Sequence, residues 1–474
     1  MLKGKTLVKR IVATGVAVAV AALMAPPAWV ACLPAGITAG IETAQAEPKT
    51  SGDFEYIVEG VSGSEFVTIV GYKVDGKPVV KIPNKIEGKN VKFIAKQAFS
   101  EEYDKIHDSS DSVHHITSVE IPNTVESIME GAFEYCESLA KVDIKGNGLG
   151  YIGDTAFLGC KKLTSIALPA GLQQIGNLAF FKAGLTSITI PKECYAVSHE
   201  GNPFGYCPIT KFTLASGNSY HKVVNSGTML MDEEGGWVIG YANACSTKTP
   251  KLPKDGPNIT PYAFAGAKKI TSISIPKGTH VIGDSAFSHC DNLAKVTISK
   301  SAKLDTIEAN AFDQCKKLKK IYIPKSVNTI GEDAFGWWTE GEGTEEPEGH
   351  VVSGFYMTGE SSSYEGLKYA KVNKWLFLTT SKVTKLTSKK KSLKVKVKKA
   401  KGVSSSKKAY KYQIAYKKKG SSKWKKIKIK STTKTIKKLK KGKKYQVKVR
   451  SLKKQNGKYC YGEWSSVKTS KKIK

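Results

Sequence analysis

The chain has 474 residues, of which 40% are hydrophobic and 24% charged, with a net charge of +34. Its length allows two or more domains, and no stretch after residue 46 is long and apolar enough to span a bilayer, so no integral membrane span is expected there. The charge is concentrated at one end. Residues 381–474 hold 37 Lys and Arg and one acid, Glu463, whereas the other residues hold 38 basic and 40 acidic ones.

The N-terminus has the layout of a secretory signal. Basic residues between Lys3 and Arg10 precede the apolar run Ile11–Met24, which is shorter than the roughly 20 residues of a membrane span. The small residues of Ala44–Ala46 predict cleavage before Glu47, so that 1–46 is a signal peptide and the mature protein is secreted. Cys32 raises a lipoprotein alternative, although its preceding residues fit lipid attachment poorly.

A repeated phrase dominates the middle of the chain. Each copy reads roughly L-x-x-I-x-I-P-x-x-V-x-x-I-G-x-x-A-F-x-x-C, and the phenylalanines Phe133, Phe157 and Phe180 are 24 and 23 residues apart. The I-x-I triplets predict short strands, and one unit cannot bury its apolar face without a neighbour. The phrase therefore predicts a solenoid with a phenylalanine core. It also predicts buried thiols that form no disulfide at Cys136, Cys160, Cys290 and Cys315.

The pattern from about Ile82 to Phe335 resembles the BspA-like branch of the leucine-rich repeat family. That resemblance implies a curved solenoid with parallel strands on its concave side. It also implies a bacterial surface or secreted protein, often an adhesin. We assign 47–380 to this domain, with a β-hairpin insertion near 216–249 around Glu233–Gly236 and a strand–helix–strand cap at 351–380. A Cys194–Cys207 disulfide stays open as an alternative.

Residues 381–474 change to strands that alternate apolar residues with lysine, which predicts a small all-β sandwich. The segment L-x-x-G-x-x-Y, formed by Leu439, Gly442 and Tyr445, resembles fibronectin type III domains, where the tyrosine forms a corner. The lysine excess indicates an anionic cell-wall or surface polymer as partner. Nucleic acid is not expected because the protein is exported. The alternative is a solvated surface without a partner.

Sequence motifs of catalysis are missing: the chain has no H-E-x-x-H, C-x-x-C or G-x-S-x-G. We therefore predict a protein that is not an enzyme and needs no cofactor. A metal or hydrolytic site at His114 and His115 is kept as a minor alternative. The expected function is that of an adhesin-like binding protein, secreted or attached to the cell wall, and the alternative is an architectural wall protein without a specific ligand.

The outward positions of the I-x-I strands predict the binding surface, because the usable surface of a solenoid is its concave face. These positions suit a protein or glycan partner on a host or neighbouring cell. We call them the stripe; its members are Glu120, Asp143, Thr189, Thr213, Ser274, Lys295, Thr297, Lys320 and Tyr322.

Overall fold

The computed structural model describes residues 47–73, 76–100, 115–340, 348–353, 355–360, 363–373, 375–402, 409–455 and 457–474. The predicted signal segment and His114 lie outside these residues. Strands are numbered β1 to β36 along the chain.

Stacked repeats form a solenoid with two rows of parallel strands, which confirms the predicted fold class. The first row, here called the long-strand row, consists of the I-x-I strands. Its pairing steps by one repeat, so that Ser187 lies opposite Lys211 and Ser272 opposite Lys295. Residues 165–168 are not a strand, contrary to expectation. An open cleft of about 430 Å³ lies between that segment and β9. The row comprises β4 (Val79–Lys81), β7 (Ser118–Ile121), β9 (Lys141–Ile144), β12 (Ser187–Ile190), β14 (Lys211–Leu214), β19 (Ser272–Ile275), β21 (Lys295–Ile298), β23 (Lys320–Ile323), β27 (Tyr356–Gly359) and β28 (Leu376–Thr379).

The second row is built from strands of two residues, each ending in the isoleucine or valine that precedes the turn with the repeated phenylalanine. These strands pair in parallel from one repeat to the next, as in Ile152 with Ile175. The row comprises β8 (Ser127–Ile128), β10 (Tyr151–Ile152), β11 (Gln174–Ile175), β13 (Ala196–Val197), β18 (Asn258–Ile259), β20 (Val281–Ile282), β22 (Thr306–Ile307) and β24 (Thr329–Ile330), and it starts from β5 (Lys85–Ile86) and β6 (Lys89–Ile94).

The repeated phenylalanines stack through the core. Phe133 and Phe157 have ring centroids 5.2 Å apart and nearly parallel planes, and Phe157 and Phe180 repeat this at 5.3 Å. All three are fully buried. A buried phenylalanine contributes about 1.5–3 kcal/mol. The stack therefore joins each repeat to its neighbours.

The repeated cysteines do more than fill space. The thiol of Cys160 donates to the carbonyl oxygen of Phe133 at 3.1 Å, and Cys290 does the same to Phe264 at 3.3 Å. Each bond ties one repeat to the phenylalanine of the repeat before it. The predicted buried thiols are confirmed. The Cys194–Cys207 alternative is not, because both side chains are buried thiols outside any disulfide.

The predicted hairpin insertion is present, and it joins two separate cores. Strands β15 (His221–Val224), β16 (Met229–Asp232) and β17 (Trp237–Tyr241) are antiparallel neighbours. Leu230 and Ile239 belong to the core of the preceding repeats. Their neighbours Met229, Met231 and Val238 belong to the core of the following repeats. Because side chains alternate along a strand, the hairpin buries both of its faces.

Both ends of the solenoid are covered. At the start, β1 (Lys49–Ser51), β2 (Phe54–Glu59) and β3 (Phe66–Tyr72) form an antiparallel sheet that continues into β6, which the sequence analysis did not foresee. At the end, helix α1 (Tyr364–Val372) lies between β27 and β28. A pair formed by β25 (Trp337–Glu340) and β26 (Glu348–Val351) precedes it.

Residues 383–469 form two antiparallel sheets around their own core, which confirms the small all-β sandwich. The hydroxyl of Tyr445 accepts a hydrogen bond from the backbone N–H of Lys440 at 3.1 Å. One sheet holds β29 (Val383–Lys389), β30 (Ser392–Val397) and β33 (Thr433–Ile436). The other holds β31 (Tyr412–Lys418), β32 (Lys425–Ile429), β34 (Tyr445–Gln455), β35 (Lys458–Tyr461) and β36 (Lys468–Thr469).

Candidate binding surfaces

Most of the stripe lies where the sequence places it. Thr189, Ser274, Lys295 and Thr297 are exposed, and Ser274 is directly opposite Thr297 across the paired strands. Thr213 is half-buried, and its hydroxyl lies 2.6 Å from that of Thr189. The middle of the stripe is thus a surface of hydroxyl groups with one lysine.

The N-terminal end of the stripe is acidic and locally neutralised. Glu120 and Asp143 are paired across β7 and β9. The ammonium of Lys145 lies 2.9 Å from Asp143 and 3.7 Å from Glu120. The hydrogen bond from Lys145 lowers the pKa of the Asp143 carboxyl. Lys141, 3.7 Å from Asp143, supplies a second positive charge. Since two lysines balance the two acids, this end of the stripe offers little net attraction to a cationic partner.

The C-terminal end of the stripe differs from the prediction. Tyr322 was expected to be its main exposed aromatic, but only 6% of its surface is accessible. Lys320 forms an ion pair with Glu463 of the sandwich. The outward position of a strand is exposed only if nothing covers it, and here the sandwich lies over β23. Burial raises the pKa of the Tyr322 hydroxyl.

Several further bonds fix the sandwich against the solenoid. The hydroxyl of Tyr356 lies between the backbone N–H and carbonyl of Tyr461, at 3.2 and 3.4 Å. Lys300 donates to the carbonyl of Trp464 at 2.8 Å, and Ser451 donates to the carbonyl of Thr379 at 2.8 Å. Glu463, the single acid of the sandwich, is therefore used at the junction.

One sheet of the sandwich carries aromatic rings and cations in alternation. Lys448 lies 4.6 Å from the ring centre of Trp424 and 5.0 Å from that of Trp464. Arg450 lies 4.5 Å from Trp464 and 3.9 Å from Tyr461. The series continues at both ends, and we call it the aromatic–cation row. Its order in space is Lys417, Trp424, Lys448, Trp464, Arg450, Tyr461, Tyr459 and Lys428.

The alternative of a metal site depends on how possible ligand side chains are arranged in the described part of the chain. No group of three His, Cys, Asp or Glu side chains there could hold a metal ion. His115 is exposed. No helix among the described residues is both long and apolar enough to cross a membrane.

Comparison with known families agrees with the fold. Residues 104–222 and 240–338 match the family model of the BspA type leucine rich repeat region, in 6 copies. We call this matched part of the solenoid the BspA-type region, after the family model that it resembles. The interval between the two matched stretches contains most of the hairpin that joins the cores. The matched stretches end before the sandwich, so its fibronectin type III resemblance remains an interpretation, which the Tyr445 bond supports. No curated protein matches the sequence.

Several solved structures are similar to the chain. The pneumococcal vaccine antigen PcpA is 19% identical with a TM-score of 0.49, over 69% of this chain and 96% of that one. A leucine rich cell surface protein of Faecalibacterium prausnitzii is 22% identical with a TM-score of 0.41, over 66% and 89%. A leucine-rich repeat protein of Eubacterium ventriosum is 18% identical with a TM-score of 0.41, over 60% and 92%.

The aromatic–cation row beside the BspA-type region is not among the features predicted from the sequence. Its signal was present in the tryptophans Trp424 and Trp464, which stand in an otherwise lysine-rich sequence. Alternation along one strand places Lys448 and Arg450 on the same face. The rings come from other strands and loops, and only the strand pairing brings them together.

Proposed function

We propose that this protein is a secreted or cell-wall-associated bacterial binding protein of the adhesin type. In this proposal the stripe of the BspA-type region binds a protein or glycan on another cell. The lysine-rich sandwich holds an anionic polymer of the bacterial surface. The BspA-type repeats and the signal-like N-terminus support a location outside the cell.

One observation carries the anchoring role. The sandwich segment has 37 basic residues and a single acid, Glu463, and that acid is paired with Lys320 of the solenoid. No acid of its own is left to neutralise the remaining lysines. Because exposed charges are screened by salt, this attraction is strong at low ionic strength and weak at high ionic strength.

Binding of the purified full-length protein to isolated cell wall tests the anchoring role. We expect strong retention at about 0.01 M salt and release at about 1 M, where the Debye length falls from about 30 to 3 Å. The control is wall from which anionic polymers have been extracted. Retention that is unaffected by salt or extraction would contradict anchoring by charge.

The stripe is tested against the second candidate function, an architectural wall protein without a specific ligand. The variant S274E/K295E/T297E replaces three exposed side chains of the stripe with glutamate. A binding protein should lose adhesion to host cells or matrix while its wall retention persists. Unchanged adhesion would favour the architectural function. Lys320 and Tyr322 are unsuitable for this test because the sandwich covers them.

A further inference from the structure

The two sheets of the sandwich offer chemically different outer faces. On the three-stranded sheet, Lys394 and Lys396 are exposed and lie opposite threonines across the pairing with β33. On the other sheet lies the aromatic–cation row, whose eight members are all half-buried. Both faces are cationic, but only one has aromatic rings. Charge alone therefore does not distinguish the faces, whereas a ligand with apolar surfaces would.

Among the described residues, the acid that acts electrostatically on Arg450 is Glu463, which is itself paired with Lys320. None of Lys417, Lys428, Lys448 and Arg450 forms an ion pair with a described residue. Arg450 is held in place by Gln413, whose oxygen accepts from its Nε at 3.0 Å and its Nη2 at 2.7 Å. The cations rest on ring faces, which attract them through the negative face of the π-system.

The cations of the row repel one another, and this repulsion favours the binding of an anion. Burial, and then the neighbouring charges of Lys426, Arg450 and Lys417, lower the pKa of Lys448. An anion placed over the row would relieve this repulsion. The row is also fixed in position, because the backbone of Tyr461 bonds to Tyr356 of the solenoid. A ligand would thus meet a preorganised surface, which reduces the entropy cost of binding.

We propose that the aromatic–cation row is the binding surface for an acidic polysaccharide, with sugar rings against the aromatic side chains and their acidic groups at the lysines. This inference rests on the proposed anchoring function and assigns it to one face and one ligand class. A sugar ring has an apolar C–H face that fits an aromatic ring, and its carboxylate, sulfate or phosphate fits a flexible ammonium. A polyanion without sugar rings would gain only the charge contribution.

Two polyanions distinguish the contribution of sugar rings to binding from the contribution of charge. Polygalacturonate carries one carboxylate on each sugar ring, and inorganic polyphosphate of matched charge carries no ring. Both are measured against the full-length protein by calorimetry at low salt, with neutral dextran as a blank. We expect both to bind, with release at high salt.

The ring variant is W424L/Y459L, which keeps apolar side chains and leaves every charge in place. We expect its polygalacturonate affinity to fall about tenfold, equivalent to about 1.4 kcal/mol, while polyphosphate affinity changes less than about twofold. An unchanged polygalacturonate affinity in a folded variant would overturn the proposal. Thermal unfolding of each variant confirms that it is folded.

The charge variants provide a matched comparison that does not depend on the rings. K417Q/K428Q removes two charges from the row, and K394Q/K396Q removes two from the opposite sheet. We expect the first pair to weaken polygalacturonate binding several-fold more than the second. Equal effects would overturn the assignment to the row and leave the anchoring function intact. Failure of the wild-type protein to bind either polyanion would overturn both.

Discussion

The BspA-type region and the sandwich stabilise their cations in different ways. In the repeats, lysines pair with acids of the neighbouring repeat, as Lys96 does with Glu130 at 2.8 Å and Lys161 with Glu137 at 2.6 Å. In the sandwich, which has a single acid, lysines and Arg450 lie over aromatic rings instead. Ring faces thus take the place of carboxylates. The repeats are left with little net charge, whereas the sandwich keeps a strong positive field for a partner.

The two regions also differ in what stabilises them, because the solenoid relies on two successive stacks of aromatic rings whereas the sandwich has a separate core without such a stack. Replacing Phe157 with alanine should lower the free energy of unfolding by about 3–5 kcal/mol, the usual cost of removing a buried aromatic side chain. Chemical denaturation followed by circular dichroism measures this. Val447→Ala in the sandwich is the control, and it should leave the repeat transition unchanged. A loss below about 1 kcal/mol at Phe157 would show that the stack is not a main source of stability.

The two regions should also differ in acid sensitivity. His221 is buried in the hairpin, and burial lowers its pKa to about 4. The unfolded chain binds a proton more readily than the folded one below its ordinary pKa near 6.5. Stability should therefore fall as the pH drops from about 6.5 to 4, by on the order of 3 kcal/mol. Denaturation midpoints measured across this range should decrease for the repeats.

His221→Gln is the control for that prediction, since it cannot take up a proton in this range. Its stability should depend less on pH than that of the wild-type protein. The sandwich contains no histidine and one acid, so its own transition should be nearly constant from pH 4 to 6.5. An identical pH profile in the wild type and in the variant would contradict the role of His221.

The thiol bonds between repeats should contribute a smaller amount. Cys160→Ala removes the sulfur and its bond to the Phe133 carbonyl, and we expect a loss of about 1–2 kcal/mol from the hydrogen bond and the small cavity. Cys160→Ser keeps a donor and reports on the cavity alone. Urea denaturation gives both values. If the alanine variant is as stable as the wild type, the hydrogen bond of the thiol does not contribute to stability.

Backbone strain at the turns gives the smallest expected effect. Thr155, two residues before Phe157, has a φ of 51°, and Gly131 holds the same position in the preceding repeat with a φ of 62°. A left-handed conformation costs a residue with a Cβ about 1–2 kcal/mol, and a glycine avoids this strain. Glycine in turn destabilises the folded state by about 0.5–1 kcal/mol, because it loses more chain entropy on folding. Thr155→Gly should therefore stabilise the repeats by about 0.5 kcal/mol in urea denaturation. A destabilised variant would indicate that the threonine side chain makes a contact worth more than the strain.

The burial of residues that recur in every repeat could be predicted from the sequence. Contacts between segments that are far apart in the sequence could not. Phe157 and Cys160 recur at fixed positions, so their burial followed from the period. Tyr322 occupies an outward position of the same period, yet it is covered by a segment more than a hundred residues later. The N-terminal sheet was missed although residues 54–59 and 66–72 have the β-branched and aromatic composition of strands. Its single copy gave no repeat to align.

The hairpin between the two cores has a mechanical consequence. The aromatic stack runs from Phe99 to Phe204 and begins again at Tyr241, so no single column of rings spans the solenoid. Tension applied at the two termini would reach a boundary at β16 and β17, where the stack is interrupted and the halves are joined by the hairpin and by smaller contacts such as that of Phe181 with Tyr262. Stretching the protein should then give two separate extension steps within the repeats. A solenoid with one uninterrupted column would have no such place to stop.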